Sequence, residues 1–168
     1  PNEYNYASGM KNYKDILKYN RYGSDGAPST GNVTCLVIPV EFTDGKFPSN
    51  TLTDLEKCFN GTESDTGWES VKSYFYKSSY GALNLNFEIA PDYFTPEISS
   101  SYAYDNDTLV VNNAVEWYRS NYSANKCKEF DADGNGHIDC VFMIYSTPND
   151  TLWAYTYWGN KNPSTTNP

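Results

Sequence analysis

The sequence predicts an α/β domain built in layers, with a mixed β-sheet and flanking helices. Three observations predict it. Strand-like and helix-like segments follow one another in the order β, α, α, β, α, loop, β. The first strand segment is apolar on both faces, as expected inside a sheet that is covered on both sides. No segment repeats internally, and the alternation is unlike that of a sandwich or a bundle. At 168 residues the chain is long enough for one domain with a real core.

Residues 1–30 read as an irregular lead-in rich in Tyr, Asn and Gly, in which "MKNYKDILKY" could form a short helix. "GNVTCLVIPVEFTD" is a strong strand. Val33, Cys35, Val37, Pro39 and Glu41 alternate with Thr34, Leu36, Ile38, Val40 and Phe42, and both sets are apolar at the centre. Pro39 has no N–H for a ladder, so one end of this strand should run at an edge or a bulge. "SNTLTDLEKCFNG" predicts a short helix entered at Thr51 with Asp54, facing inward through Leu52, Leu55 and Phe59 and stopped by Asn60-Gly61. "WESVKSYFYKSSYG" predicts a second, with a stripe of Val71, Tyr74, Phe75 and Ser78 and Gly81 as its C-terminal cap. In "ALNLNFEIAPDYF" the alternation is clean: Leu83, Leu85, Phe87 and Ile89 face in, and Asn84, Asn86 and Glu88 face out. "DNDTLVVNNAVEWYRSNYS" predicts the best helix, capped at Asp107 or Thr108, with Val110, Ala114, Trp117 and Tyr118 inward. An acidic loop and the apolar strand Cys140 to Tyr145 complete the domain at about residue 158, and 159–168 read as a polar linker.

A net charge of −9 argues against nucleic acid, which demands a basic footprint, and against an anionic membrane surface. No apolar run approaches membrane-spanning length. The chain opens on Pro-Asn-Glu without a signal peptide, which reads as a piece cut from a longer protein. Four cysteines (Cys35, Cys58, Cys127 and Cys140) allow three pairings. A Cys127–Cys140 bridge would pinch the ends of the acidic loop; alternatively, Cys35 and Cys140 are small buried hydrophobes. Sequons at Asn32, Asn60, Asn106, Asn121 and Asn149 would matter only in a eukaryotic secretory pathway.

The densest chemistry lies in "FDADGNGHIDCVFMIY". Counted from Asp131, oxygen-bearing side chains fall at positions one, three, five and nine: Asp131, Asp133, Asn135 and Asp139. Calcium takes six to eight hard oxygens, and a short D-x-D-x-N run curls so that successive side chains meet at one centre. Gly136 permits the turn, His137 offers its backbone carbonyl, and Ile138 would anchor the loop to the core. An EF-hand is excluded because Phe142 stands where the bidentate Glu belongs and a strand follows instead of a helix. His137 is the only histidine, too few for a zinc site.

Three segments in this order, "CLVIPVEFTDGKFP", "SVKSYFYKSSYGALNLNFEI" and "FDADGNGHIDCVFMIYS", together resemble the immune inhibitor A-like secreted metallopeptidases. The aromatic "TLWAYTYW" is similar to a tryptophan-rich segment of that family, with Tyr155 where His is often found. The resemblance spans Val33 to about Trp158. It implies the N-terminal part of a zincin-type catalytic domain, in a secreted, calcium-stabilised protein acting on peptide substrates. It also implies that Asp131, Asp133, Asn135, His137 (through its carbonyl) and Asp139 are calcium ligands. The zinc of such an enzyme sits on an H-E-x-x-H helix, which this chain lacks, so zinc and hydrolysis belong to a following segment and no catalytic residue is assigned here. The chain would then associate with that segment, or with itself through an exposed sheet edge. The rival expectation is a non-catalytic extracellular module, calcium-stabilised, that binds carbohydrate or protein on an aromatic platform. Trp153, Tyr155, Tyr157 and Trp158 would form that platform, or else a rim of the substrate cleft.

Overall fold

The computed structural model describes residues 26–147 and residue 154. The expected helix in residues 10–19, the Trp153, Tyr155, Tyr157 and Trp158 platform and the polar tail lie outside the described residues. Within them the elements are β1 (Gly31–Val40), α1 (Thr51–Asn60), α2 (Glu63–Thr66), α3 (Val71–Ser78), β2 (Leu83–Ile89), α4 (Ser100–Asp105), α5 (Asp107–Tyr122), α6 (Ala124–Cys127), a 3-10 turn (Lys128–Phe130) and β3 (Val141–Tyr145). The fold is α/β. Its sheet has three strands in the order β2-β1-β3, and both pairings are parallel. An antiparallel strand that would make the sheet mixed is not among the described residues.

This order explains why β1 is apolar on both faces. From β1 the chain steps to β2 on one side, then returns across β1 to β3 on the other. Right-handed crossovers in opposite directions put their helices on opposite faces of the sheet. Accordingly, Leu36, Ile38 and Val40 pack with Val110, Ala114, Val115 and Tyr118 of α5, whereas Val33, Cys35 and Val37 pack with Phe59 of α1, Leu85 and Phe87 of β2, and Val71 of α3. The predicted inward faces of β2 and α5 are thus the ones buried. Residues 100–105 form a helix that the sequence pattern left unassigned, and the cap of α5 falls one residue earlier than expected, at Asn106.

The expected stripe of α3 is corrected by its position. The helix rests on β2, an edge strand, and on α1. Only Val71 reaches the core, while Tyr74 and Phe75 remain exposed at 59% and 37%. The helix ends at Ser78, and the chain then turns through two left-handed residues, Tyr80 (φ 55°) and Gly81 (φ 78°). The Gly81 N–H reaches back to the Tyr76 carbonyl at 2.8 Å, closing the helix end.

Pro39 sits where its missing donor does least harm. The Val37 and Pro39 carbonyls accept from Ala90 and Phe94, beyond the end of β2, so the ladder on that side is already breaking up. The outer edge of β2 is tied off by side chains. Asn60 Nδ2 donates to the Phe87 carbonyl at 2.8 Å, and the Phe87 N–H donates to Asn60 Oδ1 at 3.0 Å. Ser79 Oγ accepts the Leu83 N–H at 3.0 Å. An open edge invites pairing with another chain, and these contacts occupy it. They also commit the sequon asparagine at 60 to the sheet. All five residues of β3 are half-buried, and its outer edge has no strand partner among the described residues.

The Cys127–Cys140 bridge is not formed. Cys127 is buried on the α5 face and Cys140 lies on the opposite face beside Cys35, so the sheet separates them. All four cysteines are free thiols, with Cys35 fully buried and Cys140 half-buried.

Candidate functional site

The acidic loop runs from the 3-10 turn into β3 and is pinned at both ends by apolar residues. Phe130 is fully buried and Ile138 nearly so, at 3% exposure, both in the core beneath α5. The Asp139 N–H donates to the Phe130 carbonyl at 2.9 Å and closes the loop at its neck. Between these anchors Gly134 (φ 74°) and Gly136 (φ 90°) adopt left-handed backbone, which reverses the chain twice within three residues.

The carboxylates organise this turn by accepting backbone N–H groups. Asn135 N–H donates to both Asp131 Oδ1 and Asp133 Oδ1 at 3.0 Å, and Gly136 N–H donates to Asp131 Oδ2 at 2.9 Å. The Ala132 N–H donates to Asp139 Oδ2 at 2.7 Å across the loop. Asn135 is engaged within the loop: its Nδ2 donates to Asp133 Oδ2 at 3.0 Å and its Oδ1 accepts the His137 N–H at 2.8 Å.

These bonds bring Asp131, Asp133 and Asp139 together, each offering an oxygen, with all three within 4.8 Å of one another. Asn135 is hydrogen-bonded to this cluster, and His137 lies beside it with its Nδ1 buried and without a hydrogen-bond partner among the described residues. Asp139 Oδ1 is likewise buried with no donor. A buried, unpaired carboxylate oxygen beside two more acids is costly unless something positive meets it. The strain appears in the acidity of Asp139, pushed up to about 6 by burial. The Ala132 N–H pulls in the other direction, and the charges of Asp133 and Asp131 add to the rise. Oxygens bound to one calcium lie about 2.3–2.6 Å from it, so ligands on opposite sides are separated by roughly 5 Å. The three carboxylates fall within that span. A cluster of carboxylate oxygens at this spacing is of the kind that can hold a metal cation.

Two ties that the sequence pattern did not flag hold the opposite end of the sheet. Asp44 accepts from the Ser100 N–H at 2.9 Å and the Ser100 hydroxyl at 2.8 Å, bonds that hold its carboxyl below the usual range. Ser146, buried just after β3, accepts the Phe42 N–H at 3.0 Å and donates to the Gly45 carbonyl at 2.8 Å. Their partners lie far away in sequence, so no local motif signals them.

Compared with protein-family models, with curated proteins and with solved structures, the chain matches none of them. No helix among the described residues is long and apolar enough to cross a membrane.

Proposed function

We propose that this chain is the N-terminal portion of a secreted, calcium-stabilised, zinc-dependent endopeptidase. It supplies sheet, calcium site and cleft rim, while the zinc and the hydrolytic machinery reside on a following segment. One observation carries the calcium part: Asp131, Asp133 and Asp139 each bring an oxygen within 4.8 Å of the others, and Asp139 Oδ1 is buried with no hydrogen-bond partner among the described residues. When bound, calcium would neutralise that oxygen and lock the loop; Asp131, Asp133 and Asp139 would hold it, joined by Asn135 and the His137 carbonyl. The peptidase part is supported by the way the three family-like segments correspond to the three strands of one sheet and the loop that feeds the last.

Calorimetric titration of the chain with calcium chloride tests the first part; absence of binding sinks it. The second part is tested by reading the coding sequence beyond Pro168 for H-E-x-x-H and assaying the longer chain on a casein substrate, with and without a zinc chelator. A stop codon or an unrelated module there overturns the peptidase reading and leaves the calcium result standing. A binding module is the second reading. It is favoured by the exposed aromatics Trp68 (78%), Tyr76 (50%) and Tyr80 (99%), which offer flat half-polar surfaces to a carbohydrate or a protein.

A further inference from the structure

The strand order brings two cysteines together that are far apart in sequence. Register pairs Leu36 with Val141, so Cys35 and Cys140 stand one step earlier on adjacent chains. The Leu36 N–H already donates to the Cys140 carbonyl at 3.2 Å, which fixes the two backbones side by side. Both side chains lie on the same face of the sheet, in the cluster formed with Phe59, Phe87 and Phe142. Neighbouring strands are about 4.7–4.9 Å apart. Disulfides form across Cα separations of about 4.4–6.8 Å, so the backbone has little distance to close.

The other pairings lack this geometry. Cys127 lies across the sheet, buried against α5, and Cys58 is exposed on α1. We infer that Cys35 and Cys140 are a disulfide-forming pair, which in an oxidising compartment joins the middle of β1 to the residue that follows the acidic loop. Cys127 and Cys58 stay as separate thiols.

The partner in the reaction is a small disulfide such as oxidised glutathione. Cys140 is the less buried of the two residues, half-buried where Cys35 is 1% exposed, so Cys140 reacts first in the proposed exchange. Cys140 gives up its proton and attacks one sulfur of the reagent, breaking the reagent's S–S bond and releasing one reduced thiol. A mixed disulfide remains on Cys140. Cys35 then gives up its proton and attacks the Cys140 sulfur, expelling the second reduced thiol. Two electrons pass from the protein to the reagent, and the two protons end on the two released thiols. The inference does not rest on the endopeptidase reading. It uses the sheet register and the placement of the four cysteines.

The test equilibrates the folded chain in a mixture of oxidised and reduced glutathione, quenches it with acid, unfolds it and alkylates every remaining thiol. Mass spectrometry of the intact chain and of its proteolytic peptides follows. The expected product is lighter than the fully reduced chain by two hydrogens, carries two alkyl groups on Cys58 and Cys127, and yields one cross-linked peptide pair containing Cys35 and Cys140. Four alkyl groups after equilibration under oxidising conditions would overturn the inference. So would a bridge that joins Cys140 to Cys127 or to Cys58. The Cys58→Ser variant repeats the measurement without the exposed thiol and should give the same internal bridge; loss of the bridge in that variant would also overturn it.

Discussion

On the proposed calcium reading, removing calcium with EDTA should lower the melting temperature by an amount set by mass action. A ligand that binds only the folded state stabilises it by RT ln(1 + [L]/Kd), about 2.7 kcal/mol at a hundredfold excess over Kd. For a domain of this size each kcal/mol moves the melting point by about 2–4 °C. Calcium at that excess should therefore melt the chain roughly 5–10 °C above its value in EDTA. Asp133→Ala isolates the cause. It removes one of the three converging carboxylates and the acceptors of two bonds from Asn135, each 3.0 Å long, in an exposed part of the loop. Losing those bonds costs each state of the protein about the same, of order 1 kcal/mol. The difference between calcium and EDTA within the variant is thus free of that loss. Differential scanning calorimetry with each protein in both buffers gives four melting points. The calcium-dependent difference should be present in the wild type and nearly absent in the variant. A wild type indifferent to EDTA, or a variant that keeps its full difference, refutes the assignment of the loop.

Ile138→Ala should cost about 2–5 kcal/mol in urea unfolding, because Ile138 is 3% exposed and its removal leaves a cavity beneath α5; a cost under about 1 kcal/mol would mean that the loop is not anchored there. Asn60→Ala removes both partners of the Phe87 backbone and reopens the edge of β2. A loss of about 1–2 kcal/mol and new oligomers in light scattering are expected, and a monomer of unchanged stability would contradict the edge-guard reading. Asp44 titrates below its ordinary 3.8 because Ser100 donates to its ionised form. Its contribution is present above pH 3.8 and is lost as the pH falls through the lower folded value. Melting curves taken down this range should fall more steeply for the wild type than for Asp44→Asn, and parallel curves would rule the contribution out.

Much of this architecture is written in local pattern. The two apolar sets of β1 are readable because each meets a different layer, and the alternation of β2 is readable because its apolar residues share the face packed against α1 and α3. The loop is readable because Gly134, Gly136 and the acids between which they fall act within nine residues of one another. What escapes pattern is whatever depends on strand order. Asp44 meets Ser100 from 56 residues away, and Ser146 meets Phe42 from 104. The exposure of Tyr74 and Phe75 follows from α3 lying on an edge strand, and a helical stripe cannot say how wide the sheet beneath it is. Cys35 and Cys140 meet only because β3 returns to the far side of β1, and spacing alone points as readily to Cys127.

The position of the acidic loop also separates structural from chemical roles. In open parallel sheets, ligands bind outside the carboxyl ends of the strands, where neighbouring connections diverge. The loop of residues 131–139 precedes β3 and so lies toward the amino ends of the strands. The carboxyl ends lie at Val40, Ile89 and Tyr145, where Glu41, Asp44 and Ser146 knit the following segments together. A cation in the loop is therefore far from the edge at which a parallel sheet presents a substrate. It would act by holding Asp139 and the start of β3 against β1, where the Leu36 N–H already meets the Cys140 carbonyl. A cation held there and a bridge between the thiols would thus act on one joint, the first through Asp139 and the second through Cys140. Calcium and a Cys35–Cys140 bridge would each restrain the same opening of β3 from β1, so their stabilising effects should fall short of additive, since sites that share one local opening couple. Melting the oxidised and reduced chain, each in calcium and in EDTA, measures this directly: strictly additive shifts would mean that the two restraints act on different joints.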